Sequence, residues 1–375
     1  MRKLESLQLG RAAAVLSVLF FHLTGLSVEY QHGCFYWPWT QILRAGVDVF
    51  FVISGVVMVV TTHRKLGQPD TGKRFLIHRV SRIYPPYLFL TAILTVFWLA
   101  RPDAVNSTSG GVDLFSSFTL WPSIGHLPLV QVGWTLSYEM MFYLVFFCII
   151  TCVTRRWLPR ALMIWSLAIV IGSAAIALDS SGTLLRLFPR AAFVFSPYVL
   201  EFVAGCFIGL ASLRVRFAAG RTSVSVAIAL FTLLALVFQA VQFDGNNRSG
   251  LRILLLALPS ILLVYGLLAL EQKAGSLPVP RWTIRCGDIS YSIYLVHLLV
   301  LHFAYRYVWQ LFNHSGTRPL FMVAATCLAI VASVIFYKLV ERPFSVWTRM
   351  RLEDIFKVKT KKAVTPAPAP AESTS

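Results

Sequence analysis

Apolar positions along this chain come in blocks of roughly twenty residues, separated by short polar connections that carry Gly, Pro, Lys and Arg. Each block is long enough to cross a ~30 Å hydrocarbon core as an α-helix. Ten spans are predicted, at about 12–29, 46–63, 83–100, 134–153, 161–178, 191–212, 223–243, 251–271, 288–307 and 319–340. The pattern therefore predicts an all-α, polytopic membrane protein. Pro85 and Pro86, near the start of the third span, fit a helix entrance better than a helix interior. The longest connection, 101–133, is rich in Gly, Ser and Pro and reads as a loop or a re-entrant segment. Little chain remains outside the spans. The expected division is one membrane domain over 1–345 and a basic tail over 346–375, whose end, "AVTPAPAPAESTS", has the composition of a disordered segment.

Composition agrees with the blocks. Of 375 residues 57% are hydrophobic and 13% charged, about half the charged share of an ordinary soluble domain. Mean hydropathy is +0.69. The net charge of +18 would suit nucleic acid if it were clustered on one domain, but its distribution has a topological explanation. With ten spans, the termini and even-numbered loops hold 26 of the 34 Lys and Arg residues and the odd-numbered loops hold 8. The positive-inside rule then places both termini in the cytoplasm, as expected for a bacterial inner-membrane protein, with attraction to anionic lipid as a further effect. The first span has no convincing small-residue cleavage site and contains His22, so a cleavable signal peptide is not expected. The six cysteines (34, 148, 152, 206, 286, 327) form no metal-like pair, and only Cys34 falls in an outside loop, so neither a disulfide framework nor a metal site is expected.

Polar residues inside such blocks are costly and by default suggest function. Arg11 and His22 are eleven residues apart on the first span, about 16 Å of helix, which sets the imidazole roughly half-way across the membrane. In "GVDVFFVISG" (46–55), Asp48 enters the second span, while Gly46, Ser54 and Gly55 permit close helix packing. In "KRFLIHRVSRIYPPY" (73–87), Lys73, Arg74, Arg79 and Arg82 gather at the third span. If that segment is helical, Arg79 and Arg82 share a face suited to phosphate oxygens; otherwise the cluster is simply topogenic. In "WTLSYEMMFY" (134–143), Glu139 lies inside a span with Tyr143 one turn on, and Trp134 and Tyr138 suit an interfacial aromatic belt. In "DISYSIYLVHLLVLH" (288–302), His297 lies as deep as His22. Glu201 and Glu341 complete the acidic set, Glu341 being equally readable as a helix end before Pro343.

No Walker motif, dinucleotide fingerprint or metalloprotease signature is present. Buried His and Glu beside a basic mouth suit either an enzyme with a histidine base or a transporter's proton relay.

The order of these motifs resembles the membrane acyltransferase-3 family, which includes bacterial O-acetyltransferases of exopolysaccharide and lipopolysaccharide. The resemblance rests on Arg11 and His22, on Gly46-Val47-Asp48 with Phe50-Phe51 and Ser54-Gly55, and on Arg79 and Arg82 before Pro85. It continues through Trp134, Glu139 and Tyr143, then Ser290, Tyr294 and His297, and ends at Glu341 before Pro343. One departure is Gly10 before Arg11, where relatives often have the reverse order. The hydrolase-like domain fused to some relatives has no room in 342–375. The resemblance implies acyl transfer from cytoplasmic acyl-CoA, with acetyl-CoA as donor, to a hydroxyl of a polysaccharide or lipid-linked oligosaccharide. On that reading Arg79 and Arg82, with Arg11, Lys73 and Arg74, hold the donor, His22 deprotonates the acceptor, and Glu139 orients the imidazole. Ser54 or His297 is the less favoured carrier of an acyl intermediate. A transporter without catalysis and a silent partner in polymer assembly are the competing expectations.

Overall fold

The computed structural model describes residues 4–31, 37–101, 111–126, 128–243, 249–312 and 317–358. Among them every regular element is helical. The long helices are α1 (Glu5–Gln31), α2 (Ala45–Thr62), α3 (Thr71–Ala100), α5 (Gly133–Cys152), α6 (Leu158–Leu178), α9 (Tyr198–Ser212), α10 (Gly220–Ala240), α11 (Ser249–Ala274) and α14 (Arg318–Phe336). Short helices α4 (Leu114–Thr119), α7 (Thr183–Leu187) and α8 (Ala191–Val194) lie in the connections. α12 (Arg281–Asp288) and α13 (Ser290–Phe303) form one span bent by 72°, and α15 (Arg342–Ile355) continues α14. Nine helices among the described residues are long and apolar enough to cross a membrane, or ten with the bent pair, in agreement with the sequence pattern.

The bundle is built around α1 and α2. Small residues bring the backbones together where lipid supplies no hydrophobic drive for association. Gly55 on α2 and Gly205 on α9 face each other so closely that a Cβ on Gly55 would collide with the Phe202 carbonyl and one on Gly205 with that of Val52. Gly46 likewise abuts the Ala14 carbonyl of α1. Peripheral α6 and α10 expose apolar side chains, among them Ile164, Leu167, Ile228 and Leu236, on the face left for lipid.

Three expectations change. α3 begins at Thr71, so Pro85 and Pro86 lie inside a 30-residue helix rather than at its entrance. The basic segment 73–84 is itself helical, and the Tyr291 hydroxyl donates to the Ile83 carbonyl at 2.8 Å beside the turn that proline interrupts. Glu341 does not end a helix: a π-helical turn, Tyr337–Glu341, joins α14 to α15, which packs along α3. The boundary drawn at 345/346 therefore falls within a packed helix. The described part of the connection after α3, 111–126, carries a capped turn that packs on α3. The Asp113 carboxylate caps α4 by accepting from the Ser116 N–H at 2.9 Å, and Tyr84 and Tyr87 donate to the Thr119 and Ser117 carbonyls. The tail 363–375 and Cys34 lie outside the described residues; the five other cysteines are free.

Candidate active site

The first turn of α1 is pinned by a carboxylate. Glu271, at the end of α11, accepts from the Glu5 and Ser6 N–H groups at 2.9 and 3.0 Å, where an anion meets the positive end of the helix. Glu5 in turn accepts from the Leu277 N–H at 2.9 Å. This anchorage sets the register of Arg11, whose Nε donates to the Ser290 hydroxyl on α13 at 3.2 Å.

Arg11 opens onto a narrow cavity of about 90 Å³ between α1, α2, α3, α5 and α13. Ser54, Arg79, Arg82, Glu139 and Tyr143 line it, with Tyr291 and Tyr294 as aromatic walls. Glu139 accepts from the Tyr143 hydroxyl one turn along α5 and lies within 3.4 Å of the Ser54 hydroxyl. Arg79 is held over the rings of Phe75 and Tyr143, 5.6 and 5.4 Å from their centroids. One carboxylate thus faces three guanidiniums in a confined space, an excess of positive charge suited to an anionic ligand.

Arg79 and Arg82 also line a wide vestibule of about 640 Å³ with Lys65, Arg74, His78 and Arg349. Cavity and vestibule therefore meet at these two arginines, which α3 places one turn apart on one face. A third space, a cleft of about 700 Å³, opens beyond the other end of α2, where Arg44 lies at its wall. Vestibule and cleft are at opposite ends of α2, whose last turn, Thr61 and Thr62, belongs to the vestibule.

The two deep histidines lie behind Tyr294 of the cavity wall. His297 is fully buried and its Nδ1 is 2.9 Å from the Ile293 carbonyl. That contact places the proton on Nδ1 and leaves Nε2 as an acceptor, with no partner among the described residues. His22 packs against it, ring centroids 5.2 Å apart, and Tyr294 of the cavity wall is 5.9 Å from His297 on the other side. The pairing of His22 with Glu139 expected from the sequence is not made: the hydrogen-bond partners of Glu139 are Tyr143 and Ser54, and the ring beside His22 is a second imidazole.

The other candidates fall into three places. Glu341 is buried and accepts from the Ser292 hydroxyl at 2.5 Å. Asp48 and Glu201 leave the cavity for a separate buried cluster, in which Arg252 lies 3.6 Å from Asp48 and donates to the Tyr198 hydroxyl. Lys73 points away from the vestibule and pairs on the surface with Asp70 at 3.6 Å. The sequence reading missed Lys65, His78 and Arg349 in the vestibule, and Arg252 in its buried cluster. Arg252 carried a usable signal, since it is a cation within an apolar run. Arg349 did not, because only the packing of α15 on α3 brings it there.

Comparison with known proteins now bears on this geometry. An acyltransferase-domain family model matches residues 4–338, nearly the whole membrane bundle. The chain belongs to the acyltransferase-3 family. It is 32% identical over 311 residues to the exopolysaccharide production protein ExoZ of Rhizobium meliloti, covering 80% of this chain and 88% of that relative. It is 25% identical to the O-acetyltransferase OatA of Staphylococcus aureus and 23% identical to the peptidoglycan O-acetyltransferase OatA of Listeria monocytogenes. Both cover 89% of this chain, but the chain spans only 56% and 54% of those longer proteins. No solved structure matches.

Proposed function

We propose that the protein is an inner-membrane O-acetyltransferase that takes an acetyl group from cytoplasmic acetyl-CoA and places it on a sugar hydroxyl of an extracytoplasmic polysaccharide. The observation that carries this reading is the junction at Arg79 and Arg82, where a basic vestibule narrows into a cavity too small for a nucleotide. Such a shape sorts the donor by its own chemistry. The nucleotide phosphates stay in the vestibule with Arg74, Arg79, Arg82 and Arg349, while the thin pantetheine arm carries the thioester inward past Arg11. The lopsided distribution of Lys and Arg supports a cytoplasmic vestibule.

In this mechanism His22 accepts the proton of the attacking hydroxyl as its oxygen bonds to the thioester carbonyl carbon. The C–S bond then breaks, and the imidazolium returns the proton to the departing sulfur, giving the acetyl ester and free CoA thiol. His297 orients the ring of His22 through the contact at 5.2 Å. Glu139 balances the arginine charge and keeps Arg79 seated through Tyr143. No step calls for a metal.

The test is direct. Purified protein in lipid, given acetyl-CoA and de-O-acetylated surface polysaccharide, is expected to release CoA thiol in proportion to acetyl ester formed. A protein that transports the glycan without consuming acetyl-CoA would overturn the assignment.

A further inference from the structure

The large cleft at the far end of α2 has walls unlike those of the vestibule. Trp121, Trp134, Tyr138, Phe193 and Tyr198 line it, interspersed with polar Ser123 and His126. The aromatics form a connected group: Tyr138 stacks on Phe193 at 4.2 Å, and Trp134 packs against Tyr138 at 6.1 Å and Tyr198 at 5.8 Å. Trp121 stands 50% exposed on the loop after α4, with the Arg190 guanidinium 5.6 Å from its ring centroid. Arg190 also donates to the Pro122 carbonyl, fixing that loop. Trp134 and Tyr138, expected at the lipid interface, line this open cleft.

The cationic groups in this cleft are already engaged. Arg252 is buried against Asp48 and Tyr198. Arg44 donates to the Gln41 side chain and lies over the Phe21 ring at 5.1 Å. Flat aromatic faces with scattered hydroxyl and imidazole groups suit an uncharged ligand that has apolar faces and polar edges, which describes a pyranose ring.

Position strengthens this assignment. One turn of α5 serves both spaces: Trp134, Ser137 and Tyr138 face the cleft, while Thr135, Leu136 and Glu139 face the cavity. Phe21, covered by Arg44, is the neighbour of His22, and their rings are 5.1 Å apart. A ligand in the cleft is thus separated from the proposed base by two side chains, Arg44 and Phe21.

We infer that this cleft holds a short oligosaccharide segment of the acceptor by its uncharged ring faces, and that it is not a site for a lipid-linked diphosphate. The inference rests on the acetyltransferase reading for its consequence, but the binding it asserts can be measured without any donor. The probe is a set of oligosaccharides from the host's own exopolysaccharide, stripped of acetyl groups by alkali and free of lipid. Their binding to full-length protein in nanodiscs is followed by intrinsic tryptophan fluorescence and by calorimetry.

Trp121→Ala and Phe193→Ala are each expected to weaken binding about tenfold, with Trp121→Phe recovering most of it. Arg79→Gln should leave oligosaccharide binding unchanged. In transfer assays the cleft variants should raise KM for the acceptor and not that for acetyl-CoA. Trp121 lies on an exposed loop, so its variants test binding without endangering the bundle. Undiminished binding by both alanine variants, or binding of only the diphosphate-linked form, would overturn the inference. Transfer with an unaltered acceptor KM in both variants would overturn it while leaving the acetyltransferase reading intact. Trp121-dependent binding without any acetyl transfer would do the reverse.

Discussion

His22 and His297 meet ring to ring, 5.2 Å between centroids, although 274 intervening residues separate them in the chain. The contact gives the deep imidazole of α1 a neutral partner whose free Nε2 is turned away from water. His22→Gln should lower acetyl transfer by about 10²-fold or more while acetyl-CoA still binds. His297→Phe, which keeps a ring in place but removes Nε2, should produce a smaller loss, seen in kcat rather than in either KM. Near-normal transfer by folded His22→Gln protein would exclude it as the base.

The arginines at the vestibule make a graded prediction. Arg79→Gln and Arg82→Gln should each raise KM for acetyl-CoA, since a charge-assisted hydrogen bond contributes roughly 1.5–3 kcal/mol. Arg349→Gln should raise it less, because α15 places this residue farther from the cavity mouth that Arg79 and Arg82 share. Lys73→Gln, with its side chain on the surface beside Asp70, should leave it unchanged. Steady-state kinetics at constant ionic strength separates the four.

A stability prediction concerns Arg252. Arg252→Met leaves the Asp48 and Glu201 carboxyls buried without their cation, and breaking a buried pair in this way costs about 3–5 kcal/mol. Thermal unfolding in detergent should show a large drop in Tm. Adding Asp48→Asn to the same chain should restore much of it. Equal destabilisation by the single and double variants would show that packing, not charge, holds the cluster.

The loop that carries Trp121 should respond to acid. Hydrogen bonds from the Ser116 hydroxyl and N–H hold the Asp113 carboxyl below its ordinary value of 3.8. A depressed carboxyl stabilises the folded loop above the unfolded value and loses that contribution as pH falls through the folded one. Protection factors across 113–121, taken relative to the intrinsic exchange rate at each pH, should therefore fall below about pH 4, and Asp113→Asn should show the lower protection already at neutral pH.

How much of this could be read from the residues differs from place to place. The spans were legible because each hydrophobic block had to satisfy the same bilayer thickness. Arg11, Ser54, Arg79, Arg82, Glu139 and Tyr143 were each legible as costly groups in apolar surroundings, and the fold gathers all six around one cavity. Their pairing was not legible. Which ring stands beside His22 depends on the rotation of α13 about its axis, and that follows from contacts far apart in the chain. Pro85 and Pro86 misled for a different reason. Local preference disfavours proline inside a helix, but packing and the Tyr291 hydroxyl beside the interrupted turn outweigh it. Arg349 was hidden because its helix looked like a polar tail until its partner α3 was known.

The wide turn at Tyr337–Glu341 gives the end of the chain an indexing function. Each residue of an α-helix advances the next by about 100°, and the π-helical turn advances less per residue, so it fits one residue more into the same rotation. Removing one residue there would close the turn to ordinary pitch and leave Arg349 and Glu353 on the vestibule, whereas removing one from α15 before Arg349 would swing both off it by about 100°. Surface connections such as 178–183 can lengthen or shorten without such an effect. The turn is thus a store for one spare residue, and it keeps α15 in phase with α3 across a change of length that a plain helix would pass on.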